Sequence, residues 1–220
     1  MAITIDLADS ATAATGSSSV AYTHGVVTSE ANRAAIIGAS GYDVDIIEIS
    51  GTHGAVALVQ RQFTTNINQE MSQIATALAP ASGNSTVTVN VSPASDTGIV
   101  SGSASYYGVH QTTFPRTSAK ADAASTVNLT SLTAGDYGQD HVTSFNDATI
   151  TIGADQTQWY SGTVASNNHG RGSYEAATGT SITMSWTGAS FPSMCAVALA
   201  PADVGAAAVR RRTLAVLGAG

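Results

Sequence analysis

The sequence predicts an all-β protein: a single-domain antiparallel β-sandwich with a jelly-roll-like arrangement. Short segments alternate apolar and polar residues, which is the period of a strand with one buried face. Turns rich in Gly, Pro, Asn and Ser separate these segments at near-regular intervals, as in sandwiches and jelly rolls. No segment has the helical length and periodicity of a βαβ crossover, which disfavours a parallel sheet.

Three segments predict the core most clearly. Segment 181–187 alternates Ile, Met and Trp with Ser and Thr, the pattern of a half-buried antiparallel strand. Segment 86–91 alternates in the same way, with valines inward and Thr or Asn outward. Segment 194–200 is almost continuously apolar, as expected for a strand that is covered on both faces. The residues predicted to be buried are Ile182, Met184, Trp186, Val87, Val89, Val197 and Leu199.

The other elements follow from the same alternation and from the turns between them. Segment 70–78 has apolar residues at a spacing that also suits a helical turn, but the neighbouring pattern favours a strand there. Loops are predicted in the polar, small-residue stretches at 10–19, 92–97 and 162–172, and after Pro115. Further strands are predicted at 2–6, 20–27, 32–40, 44–49, 56–63, 99–109, 127–132, 139–145, 149–152, 156–160 and 173–177.

Length and composition suit one folded domain followed by a short tail. The chain has 220 residues, of which 43% are apolar and 10% are charged, and a sandwich of this size can bury a core without staples. We assign residues 1–201 to the sandwich and residues 202–220 to a carboxy-terminal tail. Cys195 is the single cysteine, so no intramolecular disulfide can form. Its apolar strand predicts a buried, inert thiol.

Charge is unevenly distributed along the chain. The net charge is −7, and residues 201–220 contain one acid and three arginines (+2), so residues 1–200 carry −9. An acidic body argues against nucleic-acid binding, which needs a basic surface. The sequence has neither a signal-peptide pattern nor an apolar run of membrane-spanning length. We therefore expect synthesis in the cytoplasm and no membrane insertion.

Five segments stand out in the sequence: RAAIIGAS (33–40), STVTVNVS (85–92), YYGVHQTTFP (106–115), GRGSYEAATGTSITMSW (170–186) and CAVALAP (195–201). Together they resemble a β-sandwich module that is common in bacterial surface proteins and phage structural proteins. Their order and spacing match that module from about residue 17 to residue 201. The resemblance implies the sandwich fold. Because the module makes up nearly the whole chain, it also implies a small virion protein such as a capsid decoration protein or a head fibre.

This resemblance implies a non-enzymatic structural protein on the exterior of a phage or phage-like particle. Its partners would be other copies of itself or a capsid shell protein, and it would be made in the host cytoplasm without a signal peptide. The alternative is a glycan-binding adhesin or receptor-binding module, whose partners would be host-surface glycans. Modules of this kind are appended to many proteins, so the fold does not indicate which of the two functions applies. The residues of the site have to distinguish them.

Four aromatic residues near predicted strand ends are candidates for glycan binding: Tyr106, Tyr107, Trp159 and Tyr160. An exposed aromatic ring can stack on the apolar face of a sugar. The same residues can instead belong to the core, since strand alternation places one member of each neighbouring pair inside. Both interpretations remain open from the sequence.

No residue pattern predicts catalysis, a resident metal or a cofactor. The histidines lack the short spacing of a zinc site, and we expect them in loops or on the surface. Two dense groups of carboxylates can pair for hydrolysis or hold calcium, although solvated turn residues are the default interpretation. The histidines are His24, His53, His110, His141 and His169, and the carboxylates are Asp43, Asp45 and Glu48, and Asp136, Asp140 and Asp147.

The tail is first basic and then apolar. An apolar end on a soluble chain favours contact with a partner surface, and arginines favour pairing with carboxylates of another chain. A frayed terminus is the alternative. The residues predicted to bind a partner are Arg210, Arg211, Arg212, Leu214, Val216 and Leu217.

Overall fold

The protein is all-β, with seventeen strands and no helix among the residues that the structure describes, which confirms the predicted fold class. The structure is a computed structural model. It describes residues 2–14, 16–26, 30–42, 48–65, 70–145, 150–164 and 168–203.

The first half of the chain forms two antiparallel sheets. Five strands make an inner sheet in the order β1-β9-β3-β7-β6, and four make an outer sheet in the order β2-β8-β4-β5. The strands are β1 (Thr4–Ala13), β2 (Ser17–Val26), β3 (Ala34–Tyr42), β4 (Glu48–His53), β5 (Val56–Ala57), β6 (Val59–Thr65), β7 (Glu70–Leu78), β8 (Gly83–Ser95) and β9 (Ile99–Tyr107).

The second half also forms an inner and an outer antiparallel sheet. The inner order is β10-β17-β12-β15-β14, and the outer order is β11-β16-β13. The strands are β10 (Thr117–Ala121), β11 (Thr126–Thr130), β12 (Tyr137–Phe145), β13 (Thr151–Ile152), β14 (Thr157–Val164), β15 (Asn168–Ala176), β16 (Ser181–Thr187) and β17 (Ser193–Leu199).

The four sheets stack as layers with three apolar cores between them. The two inner sheets face each other across a central core that contains Ile36 and Leu199. Each outer sheet covers the other face of its own inner sheet, and these two outer cores contain Val89 and Trp186 respectively. All seven residues that the sequence predicts to be buried are buried. The protein is therefore a β-sandwich in which each half is itself two sheets thick.

Strand β17 shows why the inner strands look continuously apolar in sequence. Its even-numbered residues from Met194 to Ala198 face the outer core of the second half. Its odd-numbered residues from Cys195 to Leu199 face the central core. Both faces of the strand are covered, as the sequence predicts for 194–200, and the Cys195 thiol is buried as expected.

The central core brings aromatic rings directly over two glycines. A Cβ on Gly102 would lie 2.4 Å from Tyr160 Cγ, and a Cβ on Gly38 would lie 2.5 Å from His141 Cδ2. Such distances are far below van der Waals contact, so any larger residue would push the inner sheets apart. The glycines thus set how closely the two halves of the chain pack.

Several stretches that the sequence predicts as loops contain strands. Segment 10–19 holds the end of β1 and the start of β2, and segment 162–172 holds the end of β14 and the start of β15. Strand β8 continues into segment 92–97, and β10 lies just after Pro115. These predictions were wrong because ladder hydrogen bonds to a neighbour can hold a polar strand that shows no apolar alternation. The predicted strand at 70–78 is confirmed as β7.

The two halves repeat one strand order. The two inner sheets correspond strand by strand. The order in the first half is β1-β9-β3-β7-β6, and the matching order in the second half is β10-β17-β12-β15-β14. The outer sheets correspond in the same way, with β2-β8-β4 matching β11-β16-β13. The chain therefore contains two copies of one two-sheet topology, joined by the connector at 108–116.

Replacing Val89 by Ala should destabilise the protein by about 1–3 kcal/mol, because it removes two buried carbons from an outer core. Val59 provides a matched control, since it is a strand valine whose side chain is 48% exposed whereas Val89 is fully buried. Urea unfolding should show a lower midpoint for Val89→Ala and a nearly unchanged one for Val59→Ala. Equal midpoints for the two variants would contradict the assignment of the buried face of β8.

Candidate functional site

The described surface has a polar cleft at one end of the sandwich, where the two halves of the chain cross. The connector leaves β9 and runs past the segment that follows β17. The His110 amide donates to the Ala200 carbonyl at 2.8 Å, and the Ala202 amide donates to the Gly108 carbonyl at 2.6 Å. These hydrogen bonds fix the two crossing segments against each other.

The cleft has a volume of about 200 Å³ and is lined mainly by polar side chains. This is below the roughly 300–1,000 Å³ of pockets that hold drug-sized ligands, so it suits a small ligand or a single side chain. Loops at the end of a rigid sandwich are a usual place for binding residues. The lining residues are Asn32, His110, Gln111, Thr112, Ala202 and Asp203.

His110 is held in one orientation and one tautomer. Its Nδ1 accepts hydrogen bonds from the amides of Thr113 at 2.9 Å and Thr112 at 3.3 Å. Because Nδ1 acts as an acceptor, the ring proton lies on Nε2. That atom is 3.3 Å from Asp203 Oδ2, and the Asp203 side chain is 89% exposed. His110 Nε2 therefore donates to Asp203, and the carboxylate keeps its remaining acceptor positions toward solvent.

Gln111 and Asn32 shape the other wall of the cleft. Gln111 Nε2 donates to the carbonyls of Val109 at 2.9 Å and Arg33 at 3.1 Å. Asn32 has a φ of 62°, a left-handed conformation that asparagine tolerates better than most residues. Its carbonyl accepts a hydrogen bond from the Val109 amide at 2.9 Å. The wall is thus built by the Gln111 side chain, which is bonded to the backbone, and by the hydrogen-bonded main chain of Asn32.

An ion pair between a half-buried arginine and a fully buried aspartate anchors the connector to the second half. Arg116 Nε lies 2.6 Å from Asp136 Oδ2, and the Asp136 side chain is fully buried. The Thr133 amide donates to the same carboxylate oxygen at 2.9 Å. Removing one partner of such a pair leaves an uncompensated buried charge. The expectation that Asp136 is a solvated turn residue was therefore wrong.

Asp140 is also buried, against the same expectation. Its carboxylate accepts hydrogen bonds from the Ser173 amide at 2.7 Å, the Ser173 hydroxyl at 2.9 Å, Trp186 Nε1 at 2.9 Å and Gln156 Nε2 at 3.2 Å. Burial raises the pKa of Asp140 to about 7, and these hydrogen bonds lower it. The carboxylate thus joins strands of the inner and outer sheets, because its partners come from both.

Four of the five histidines are buried, so their prediction as loop or surface residues was wrong. The exception is the cleft residue His110. In the central core, His141 Nδ1 lies 2.7 Å from Ser72 Oγ, and burial lowers the pKa of His141 to about 3. This ring is a neutral packing element at ordinary pH. The buried histidines are His24, His53, His141 and His169.

His24 and His53 form an edge-to-face pair under the outer sheet of the first half. Their ring centroids are 5.3 Å apart, and His24 Nδ1 lies 3.0 Å from Asp9 Oδ2. Burial lowers the pKa of both imidazoles, that of His24 to about 4. Neutral imidazoles pack here because a charged ring would lose its hydration.

The aromatic residues predicted as a glycan platform are mostly core residues. Tyr106, Tyr160 and Trp159 are buried, with at most 9% of their surface exposed, and only Tyr107 is half-buried. Tyr106 Oη donates to Gln139 Oε1 at 2.6 Å, and Trp159 Nε1 donates to the Ser173 carbonyl at 3.1 Å. A sugar cannot stack on buried rings, so the platform prediction was wrong for these three residues.

Several predicted residues lie outside the described ranges. The tail residues Arg210, Arg211, Arg212, Leu214, Val216 and Leu217 are among them, as are Asp43, Asp45 and Asp147. Glu48 begins β4. Among the described residues, no three His, Cys, Asp or Glu side chains lie close enough to hold a metal ion. The same residues include no helix long and apolar enough to cross a membrane.

No known protein family, curated protein or solved structure matches this chain. The resemblance to a phage or bacterial surface module therefore stays a prediction. The cleft residues Asn32, Gln111 and Thr112 are not predicted as a site from the sequence. No local signal marks them, because the cleft forms only where residues far apart in sequence meet.

Glu70 is a buried carboxyl group at the start of β7, between the inner sheets. Its Oε2 accepts a hydrogen bond from the Thr143 hydroxyl at 3.1 Å, and Ser193 Oγ donates to its carbonyl at 3.2 Å. Burial raises the pKa of Glu70 from 4.5 to about 8. The carboxyl group is therefore protonated in the folded protein at neutral pH.

Glu70→Gln should remove one component of the pH dependence of stability. Because the folded-state pKa of Glu70 is above the unfolded value, its contribution is fully present below pH 4.5 and is lost as the pH rises through about 8. Between pH 5 and pH 9 the parent should lose on the order of a few kcal/mol relative to Glu70→Gln. Urea unfolding of both proteins at several pH values measures this difference in the free energy of unfolding. The other titrating groups are the same in both proteins, so their contributions cancel in the difference. Parallel stability curves would show that Glu70 is ionised in the folded state.

Proposed function

We propose that the chain is a non-enzymatic structural protein of a phage or phage-like particle, which decorates the capsid or forms a fibre on it. The proposal rests on one observation, that ionisable side chains are buried inside the fold and bonded to neighbouring strands. His141 and Asp140, the groups best suited to acid–base chemistry, are fully buried. They are engaged by Ser72 and Ser173, where a substrate has no access. Their role is therefore to join the layers.

The exterior of the sandwich suits a packing role. The outer sheets expose hydroxyl and amide side chains, such as Thr86 and Asn90 on β8 and Asn128 and Thr183 on β11 and β16. Thr183 Oγ1 donates to Asn128 Oδ1 at 2.8 Å across the strands. Uncharged polar faces of this kind can lie against a shell or another copy without charge repulsion.

In this proposal, the tail attaches the protein to another copy or to the particle shell. Asp203, the last described residue, lies in the cleft at the end of the sandwich, and the tail follows it in sequence. The three arginines would pair with carboxylates on another copy or on the particle shell. Leu214, Val216 and Leu217 would fill an apolar groove or add to a sheet edge. Exposed ion pairs contribute little, so the apolar residues supply most of the affinity.

Deleting residues 208–220 should leave the melting temperature of the sandwich nearly unchanged and abolish self-assembly or particle binding. Light scattering after size-exclusion chromatography measures self-assembly, and co-sedimentation with particles measures attachment. As a matched control, changing Arg210, Arg211 and Arg212 to Gln should weaken binding less and reduce its salt dependence. If the truncated protein assembles with full affinity, the contact belongs to the sandwich instead.

The polar cleft favours a second candidate function, glycan binding. The hydrogen bond from His110 Nε2 to Asp203 Oδ2, at 3.3 Å, orients an exposed carboxylate that has further acceptor positions. A carboxylate of this kind can accept hydrogen bonds from neighbouring sugar hydroxyl groups. On this alternative the module binds host-surface glycans through the cleft rather than through the aromatic residues.

A glycan array separates the two candidates. Under the alternative function, the parent binds a defined set of glycans and Asp203→Ala loses most of that binding. Asp122→Ala is the control, because Asp122 is exposed but lies on a turn outside the cleft. Absence of glycan binding by the parent, or equal binding by both variants, would contradict a glycan site in the cleft.

A further inference from the structure

We propose that the chain is a fused dimer of one two-sheet unit. In this proposal the inner sheet of each half is an interaction surface, and the partner that it fits is a second copy of the same kind of unit. The connector at 108–116 then tethers two copies that would otherwise associate as separate subunits. The common strand order of the halves is the starting observation.

The register of the strands agrees with this correspondence. Ala34 begins β3 opposite the final residue of β7, and Tyr137 begins β12 opposite the final residue of β15. Both strands then run for nine residues. Residues Ala34–Tyr42 are therefore equivalent to Tyr137–Phe145, position by position.

Hydrogen bonds outside the sheets repeat at equivalent positions. The Ala79 amide donates to the Arg33 carbonyl at 2.9 Å, and the Ala177 amide donates to the Asp136 carbonyl at 2.7 Å. Each donor directly follows β7 or β15, and each acceptor directly precedes β3 or β12. The same backbone path thus leads into both central strands.

Left-handed backbone conformations also repeat. Asn32 and Gly135 have φ values of 62° and 93°, and Gly98 and Phe191 have values of 91° and 49°. Each pair occupies equivalent positions just before the matching strands. A left-handed conformation is unfavourable for a residue as bulky as phenylalanine. Its match with Gly98 is explained if both halves inherited one backbone path.

Equivalent residues touch each other across the central core. The rings of Tyr42 and Phe145 are stacked with centroids 5.6 Å apart, and Gly38 lies under the ring of its equivalent, His141. Contact between a residue and its own equivalent is the property of an interface built on a two-fold axis. The two halves therefore pack as the subunits of a symmetric dimer do.

The cleft lies on the same approximate axis. Counting from the strand register, His110 is equivalent to Asp203, and these side chains are 3.3 Å apart. The crossing segments 108–110 and 201–203 are therefore equivalent parts of the two units. One continues into the second unit, and the other continues into the tail.

The two faces of the interface carry different residues at equivalent positions. This difference favours pairing of the first half with the second half over pairing of identical halves. A histidine at position 38 would collide with His141, whereas a glycine in place of His141 would leave the space over Gly38 empty. When Gly38 faces His141, as it does here, a single imidazole ring fills the space without a collision. The first half should therefore bind the second half in preference to another copy of itself.

A second pair shows the same divergence. Tyr106 donates a hydrogen bond to Gln139 at 2.6 Å, whereas their equivalents, Leu199 and Ile36, both belong to the apolar central core. One side of the axis thus carries a polar pair and the other side an apolar pair. A pairing of two first halves would lack the Gln139 acceptor for Tyr106.

Cutting the connector in the folded full chain tests whether the two halves associate without a covalent link. A protease site inserted between Thr112 and Thr113, which are both exposed, allows cleavage after folding. Light scattering should show that the cleaved protein keeps the mass of the whole chain. After separation in urea, the two pieces should form a 1:1 complex on dilution, and each piece alone should not form that complex.

Gly38→Ala tests the interface itself in the cleaved protein. The added Cβ would overlap the His141 ring, so association of the pieces should weaken by at least about tenfold. Gly179→Ala is the matched control, because a Cβ there meets no atom within 4 Å. The proposal is overturned if the cleaved pieces separate without denaturant while the uncut insertion variant stays folded. It is equally overturned if Gly38→Ala leaves the association unchanged.

Discussion

The fold depends on a central core that is closed from both sides by sheets which are themselves covered. Strands such as β3 and β17 have no solvent-facing side, so every residue on them must fit one core or another. This demand explains the concentration of Ala, Gly, Ser and Val on the inner strands. Small side chains let two inner sheets and two outer sheets stack without steric conflict. Large rings enter the central core where a glycine faces them.

Asp140 and His141 are buried polar groups, and each is placed against a partner from another layer. Asp140 receives hydrogen bonds from β15 and β16, and His141 meets Ser72 of the opposite inner sheet. Buried polar groups with partners specify one arrangement of the layers, since a shifted register would leave them unsatisfied. The ionisable residues thus contribute to the uniqueness of the fold.

The end of the sandwich where the halves cross has a different character. There the connector and the segment after β17 leave their sheets, and their side chains are released from the layer packing. His110 and Asp203 meet there from the two halves. A site at this position joins both units and lies beside the origin of the tail. Attachment through the tail and ligand binding in the cleft would therefore act on neighbouring surfaces.

The sequence by itself determined the class of the fold and much of its core. Period-two alternation predicts strands because side chains on a strand point alternately to its two faces, and Val89, Trp186 and Leu199 are buried accordingly. The continuous apolar run at 194–200 likewise predicts a doubly covered strand. These inferences need only the local chain, because the periodicity of a strand is a property of the backbone.

Only the tertiary structure decided which strands pair, that the sheets form four layers, and that two halves repeat one topology. It also decided that His141, Asp140 and Tyr160 lie inside. Burial of a polar or amphipathic side chain depends on partners from distant strands, such as Ser72 for His141, 69 residues away. The repeat escapes the sequence because a strand pattern constrains polarity and size rather than identity. Equivalent positions can therefore hold Gly38 and His141, whose difference is meaningful only when they face each other.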